Sequence, residues 1–171
     1  MHGKKQRIAL RPFLPTDAPV LAALFRASIA ELTGDDYDLD QQEAWSAAAD
    51  DEVAFGEKLS ALLTLIASCD GAPAGFVAVK DNAQIEMLYV APQAAGSGVG
   101  AALCDAAETL ARARGTTQMS VDASDSALGF FQHRGYVPQQ RNSVSRGDVW
   151  LANTSMKKAL AQPSEEQTRL H

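Results

Sequence analysis

The chain has 171 residues, 46% of them apolar and 21% charged, with a formal net charge of −6. That is the composition of a soluble globular chain with enough length for one core, and it excludes a disordered or fibrous class. No run of eighteen apolar residues occurs, so no membrane helix is expected, and no basic stripe interleaved with aromatic residues suggests nucleic acid.

The basic start, MHGKKQRIALRPF, is followed by no apolar core or small-residue cleavage site, so it does not read as a signal peptide. Two cysteines, Cys69 and Cys104, are too few for a disulfide framework or a zinc site and read as free thiols of a cytoplasmic protein.

Arg7 to Phe13 alternates loosely and reads as a strand that stops at Pro15. Thr16 or Asp17 can cap a helix in which Pro19 falls in the first turn. Leu21, Leu24, Phe25, Ser28, Ile29 and Leu32 give that helix one apolar face, and Gly34 ends it. An acidic connection, Asp35 to Asp40, leads to a helix over 41–49 carrying Trp45 and a short helix over 53–58. Residues 62–69 and 75–80 read as a hairpin about Asp70-Gly71 and Ala72-Pro73. After a turn at Asp81-Asn82, residues 84–90 form a third strand, apolar enough to be central.

Residues 98–114 carry a strong helical stripe through Val99, Leu103, Ala107 and Ala111, with Gly115 just past its end. A strand over 117–122, a helix over 126–133 capped by Ser124 or Asp125, and strands over 136–140 and 148–156 follow. The tail from Pro163 is polar and reads as frayed. Without repeat or linker, residues 1–162 read as one α/β domain.

The chemistry-bearing stretch is QIEMLYVAPQAAGSGVGA, residues 84–101: a strand, a proline stop, then a glycine-rich turn opening a helix. Glycines at 96, 98 and 100 let backbone N–H groups approach an anion at a helix N-terminus, where the dipole also favours negative charge. A P-loop would need Gly-Lys-Ser/Thr, and the turn has no lysine. A dinucleotide fold would need G-x-G-x-x-G in an early βαβ unit.

IEMLYVAPQAAGSGVGAAL resembles the acyl-CoA signature of the GNAT superfamily of N-acetyltransferases, written R/Q-x-x-G-x-G/A after a strand. SDSALGFFQHRGYV is similar to that family's N-x-x-A-x-x-x-Y-E-K-x-G-F segment, at the right separation. The resemblance implies an α/β (α+β) fold with a central mixed, largely antiparallel twisted sheet of about six or seven strands and helices on both faces. It implies acetyl-CoA as co-substrate, no metal, an acceptor amine on a small molecule or peptide, and a monomer or homodimer; charge and composition point to no nucleic-acid or membrane partner.

Carried over by position, the resemblance has Leu88, Tyr89 and Val90 pairing with the pantetheine arm where the strand splays from its neighbour. Ala95, Gly96, Ser97, Gly98, Val99, Gly100 and Ala101 meet the pyrophosphate, Ser124 touches the cofactor, and Phe131 lies near the thioester. Three departures stand out: Ala95 replaces the usual Arg or Gln, Phe131 the usual proton-donating Tyr, and Gln84 the glutamate base of histone-type members.

Glu86 lies two residues beyond Gln84, and strand alternation puts Gln84, Glu86 and Leu88 on one face; Glu86 reads either as the base or as a carboxylate paired with a cation or a buried donor. The Val90 backbone N–H is the candidate oxyanion contact. Tyr89 and Tyr136 are the next candidate proton donors or else packing residues, and His133 reads as exposed and structural or as a phosphate contact before a catalytic group. Residues 35–52 hold eight acids and no Lys or Arg, either a rim for cationic amines or a solvated face. Tyr37 and Trp45 could form an aromatic wall for the acceptor or belong to the core. Non-catalytic binding of an acyl-CoA is the alternative reading.

Overall fold

The computed structural model describes residues 7–161. The basic N-terminus before Arg7 and the tail from Pro163 lie outside the described residues. The elements are β1 (Ile8–Pro12), α1 (Ala18–Leu32), α2 (Leu39–Ser46), α3 (Glu52–Ala61), β2 (Leu63–Cys69), β3 (Ala72–Lys80), β4 (Gln84–Val90), α4 (Val99–Ala113), β5 (Gln118–Ser124), α5 (Leu128–His133), β6 (Val137–Arg146) and β7 (Val149–Ala159). One seven-stranded sheet runs in the order β1-β2-β3-β4-β5-β7-β6, with only β4 and β5 parallel. This is the mixed, largely antiparallel sheet that the resemblance implied, with helices on both faces.

The first half follows from local chemistry. Asp70 (φ 51°) and Gly71 (φ 87°) make a two-residue turn of the kind that suits the twist of a hairpin. Strand β3 therefore starts at once, three residues earlier than composition suggests. Asp17 does not cap α1 with its side chain. Its carboxylate instead accepts the Leu14 N–H and both guanidinium nitrogens of Arg11. Asp38 caps α2 by accepting the Gln41 N–H, while the Gln41 side chain accepts the Asp38 N–H, a reciprocal box.

The two faces can be assigned by contact. Phe76 meets Phe55 of α3, and Tyr89 meets Phe25 of α1, so these cross-strand partners face α1 and α3. A Cβ on Gly75 would lie 2.9 Å from Val99 and 3.1 Å from Leu103 of α4, so Gly75 marks the opposite face. The core lies on both sides of β3, which is buried from Ala74 to Val79. The half of the sheet formed by β5, β7 and β6 carries α5 against β5, and α2 reaches over β7 and β6 on the α1 side. Strand β6 runs to Arg146, six residues beyond its expected end; its burial pattern is almost wholly exposed, so apolar alternation could not mark its length. Among the described residues, no helix is long and apolar enough to cross a membrane.

Candidate active site

Strands β4 and β5 form a fork. Gln84 faces Ser120 and Ile85 faces Val121, and the parallel ladder ends there. From Met87 to Val90, β4 is paired on one side only, by β3. Bonded residues alternate in an antiparallel ladder. The Ala91 N–H bonds the Ala74 carbonyl, so Ala91 and Tyr89 are the residues bonded to β3. The backbone groups of Leu88 and Val90 therefore point into the fork.

Beyond the fork the chain turns through Pro92–Ala94 and enters the glycine loop. Gly96 (φ 78°) and Gly98 (φ 91°) are left-handed, a conformation that costs other residues free energy. The Ser97 N–H and hydroxyl both turn inward to the Ala94 carbonyl. The N–H groups of Gly96, Gly98, Val99, Gly100 and Ala101 have no acceptor among the described residues. Five free donors thus cluster at the N-terminus of a fifteen-residue helix. Ala95, Gly96 and Gly98 are exposed, so the donors open to solvent. Phe130 borders Gly100, at 3.5 Å from where a Cβ would sit, and the Val90 side chain is 3.6 Å from the same point. These features fit a pyrophosphate followed by an extended, backbone-pairing arm.

The alternation expected along β4 does not hold. Ala78 faces Met87 and Val79 faces Ile85, so Glu86 is an extra residue on β4, a bulge. Register then puts Gln84, Met87 and Tyr89 on the α1 face and Ile85, Leu88 and Val90 on the α4 face. Gln84 and Leu88 are on opposite faces, contrary to the sequence expectation. Glu86 is half-buried at the bulge, and no described side chain pairs with it.

The aromatic candidates separate. Tyr89 lies in a cluster with Phe25, Trp45 and Phe76 on the α1 face. Its hydroxyl accepts the Trp45 indole N–H at 3.1 Å, and burial pushes its pKa up to about 12. Tyr37 is buried; its hydroxyl donates to the Ala152 carbonyl and accepts the Asp125 N–H, tying the acidic connection to β7 and to the turn before α5. Trp45 is half-buried edge-on to Tyr37. Phe131 is buried between Phe130 and Tyr136. The Ser124 hydroxyl accepts the Ala127 N–H and so turns the chain into α5. His133 is the exposed last residue of α5.

Tyr136 belongs to a buried network behind α4. Its hydroxyl donates to Glu108 at 3.1 Å, where Lys158 also bonds at 2.6 Å and the Cys104 thiol at 3.1 Å. Burial, followed by the nearby Cys104 and Glu108, raises the Tyr136 pKa. Sequence reading missed Glu108 because its distant partners come from the turn between α5 and β6, which holds Arg134 and Tyr136, and from Lys158 of β7. Only its place four residues after Cys104 on the buried stripe hints at it.

Of the eight acids in residues 35–52, Asp38 and Asp51 cap helices, Asp36 accepts the Ser126 hydroxyl, and Glu52 lies 3.8 Å from Arg26. Among the described residues no group of three His, Cys, Asp or Glu side chains is disposed to hold a metal ion.

A family model described as an acetyltransferase (GNAT) domain matches residues 33–160. The chain is 29% identical over 150 residues to the uncharacterized N-acetyltransferase YafP of Escherichia coli K12, covering 88% of this chain and 95% of that protein. A crystal structure of a GCN5-related N-acetyltransferase from Rhodopseudomonas palustris superposes with a TM-score of 0.89 at 54% identity, covering 94% of this chain and all of that one. The PaiA N-acetyltransferase of Thermoplasma acidophilum, solved with coenzyme A, shares the fold at 18% identity, with a TM-score of 0.74 over 90% of this chain and 99% of that one. With the fork, the glycine loop and these matches together, the chain belongs to the GNAT acetyltransferase family.

Proposed function

We propose that this protein, as one domain through residue 162, transfers the acetyl group of acetyl-CoA to a primary amine of a small molecule or peptide by direct attack in a ternary complex. The observation that carries the reading is the pairing of the β4/β5 fork with five free N–H groups at the start of α4. Backbone donors bind a pyrophosphate without a cationic side chain, so Ala95 is compatible with this site. The backbone of Leu88 and Val90 would pair with the pantetheine amides as an added strand.

The amine nitrogen attacks the thioester carbonyl, and the Val90 N–H receives the oxyanion. A carboxylate at the fork takes the acceptor's proton; Glu86, just beyond the last β4/β5 pair, is the one the sequence puts forward. Phe131 has no proton to give, and the Tyr136 hydroxyl is engaged by Glu108. The leaving thiolate is therefore protonated by water.

A second reading, binding of an acyl-CoA without turnover, is favoured by that engagement of Tyr136 and by the missing hydroxyl at Phe131. Calorimetry with coenzyme A and release of free thiol from acetyl-CoA across a panel of amines separate the two. Amine-dependent thiol release supports transfer. Binding without release on any amine supports the second reading, and no binding of coenzyme A sinks both.

A further inference from the structure

The fork has a second side. Register puts Ser120 on the face of Gln84, and Asp122, two residues on, shares that face. Asp122 is thus the first residue of β5 beyond the last pairing with β4, across the fork from the Glu86 bulge. The buried residues of β5, Met119, Val121 and Ala123, point the other way, toward α4 and α5.

Asp122 is held by a row of hydrogen bonds across three strands. The Asn142 amide of β6 donates to Ser155 of β7 at 2.8 Å and to Asn153 at 3.0 Å. The Ser155 hydroxyl donates to one Asp122 oxygen at 2.7 Å. The other oxygen has no partner among the described residues, and the side chain is exposed. The other charged side chains on this face are Arg11 of β1, Lys80 of β3, Arg146 of β6 and Lys157 of β7, with Glu86 at the bulge. Helix α2, which reaches over β7 and β6, adds the exposed Asp40 and Glu43. A carboxylate with one oxygen fixed and one open, on the face away from the pyrophosphate donors, lies where an acceptor would approach a thioester in the fork.

We propose that Asp122 is a catalytic residue of the acceptor site: its free oxygen receives the acceptor ammonium and takes its first proton, with Ser155 and Asn142 as positioning residues. This rests on the acetyl-transfer reading. The step balances. The ammonium gives one proton to Asp122, the freed nitrogen pair forms the C–N bond, and the C–S bond breaks with its electrons going to sulfur. The second nitrogen proton neutralises the thiolate through water, and Asp122 returns its proton to solvent. Asp122 does the work that an amide at Gln84 cannot, and Glu86 is secondary.

The test uses the full chain with acetyl-CoA and two probe amines, phenethylamine and lysine methyl ester. Wild type, Asp122→Asn, Ser155→Ala and Glu86→Gln are compared after circular dichroism has established that each is folded. Asp122→Asn is expected to lower kcat/KM for the amine by about 10² to 10³-fold. Its KM for acetyl-CoA stays within about twofold, since that substrate is bound by other groups. Its remaining rate should rise with pH in step with the free-amine fraction in solution. Asp122→Glu restores part of the rate. Ser155→Ala loses about tenfold, a readout that a packing role would not couple to the pH profile.

Turnover by wild type with Asp122→Asn unimpaired overturns the proposal and leaves the transferase reading intact. So does loss of the pH limb in Glu86→Gln but not in Asp122→Asn. Coenzyme A binding with no turnover of either probe by wild type removes the transferase reading, and this proposal with it.

Discussion

The indole N–H of Trp45 donates to the hydroxyl of Tyr89 across 3.1 Å, joining α2 to the splayed half of β4. Burial raises the Tyr89 pKa to about 12, and the Trp45 bond and the charge of Arg146 oppose that rise. Trp45→Phe keeps most of the ring packing but removes the donor. The Tyr89 titration, read by phenolate absorbance, is therefore expected to move further upward. No movement would mean that the bond has no electrostatic weight.

The three tyrosines set an alkaline limit. Tyr37, Tyr89 and Tyr136 all have folded pKa values raised by burial. A raised pKa favours the neutral form in the folded state, so this stability is complete below the unfolded value of about 10. It is lost as pH rises through the folded values. Urea midpoints should hold steady to about pH 9 and fall above about pH 10. Tyr136→Phe should flatten that fall.

Much of this molecule was legible because its signals are local. The hairpin turns, the glycine loop and the α4 stripe each lie within a few residues, and the adjacency of β2, β3 and β4 follows from the turns between them. What was not legible depends on pairing between distant strands. The bulge at Glu86 is a register event between β3 and β4, and it reverses the face of everything before it. Asp122 had a weak signal, the alternation of Ser120, Asp122 and Ser124 with Met119, Val121 and Ala123. Its meaning required knowing where β4 and β5 part. Tyr37 read as pocket wall or as core, and its hydrogen bonds to the backbone of β7 and of the turn before α5 join parts of the chain that no local pattern connects.

The Glu108 cluster predicts an acid-sensitive helix. Burial raises the Glu108 pKa, but hydrogen bonds from Lys158 and Cys104, the Lys158 charge and Tyr136 outweigh it and hold it below the usual value. A lowered carboxylate pKa contributes stability above the unfolded value of about 4.3, lost as pH falls through the folded one. Lys158→Met leaves a buried carboxylate short of its closest cation and should cost on the order of 3 kcal/mol in denaturant unfolding at pH 7. Lys158→Met together with Glu108→Leu should recover most of that loss; failure to recover would mean that Lys158 acts by packing alone.

The two thiols should differ in reactivity. Cys104 is buried, and burial together with the adjacent Glu108 carboxylate pushes its pKa up to about 12. Cys69 is half-buried on β2. Since the thiolate is the reactive form, a disulfide reagent should label one cysteine in the folded protein and the second only on unfolding. Rapid labelling of Cys104 at neutral pH would contradict the closed network around Glu108.

The two loop glycines, Gly98 and Gly100, should differ in what an added methyl costs. Gly98 has φ 91°, so Gly98→Ala forces a left-handed alanine and should cost about 1–2 kcal/mol of stability, besides displacing the N–H groups that start α4. Gly100 has ordinary helical geometry, and an added Cβ would meet Phe130 and Val90 at 3.5–3.6 Å, which is plain contact. Gly100→Ala should therefore leave stability unchanged or raise it by up to about 1 kcal/mol. The signature this loop resembles takes Gly or Ala at the position of Gly100, so calorimetry should show Gly100→Ala binding coenzyme A within about twofold of wild type, whereas Gly98→Ala, which displaces the donor N–H groups, should weaken binding by about tenfold or more, roughly 1.4 kcal/mol. A Gly98→Ala protein that binds coenzyme A like wild type would mean that the pyrophosphate does not approach α4 through this turn.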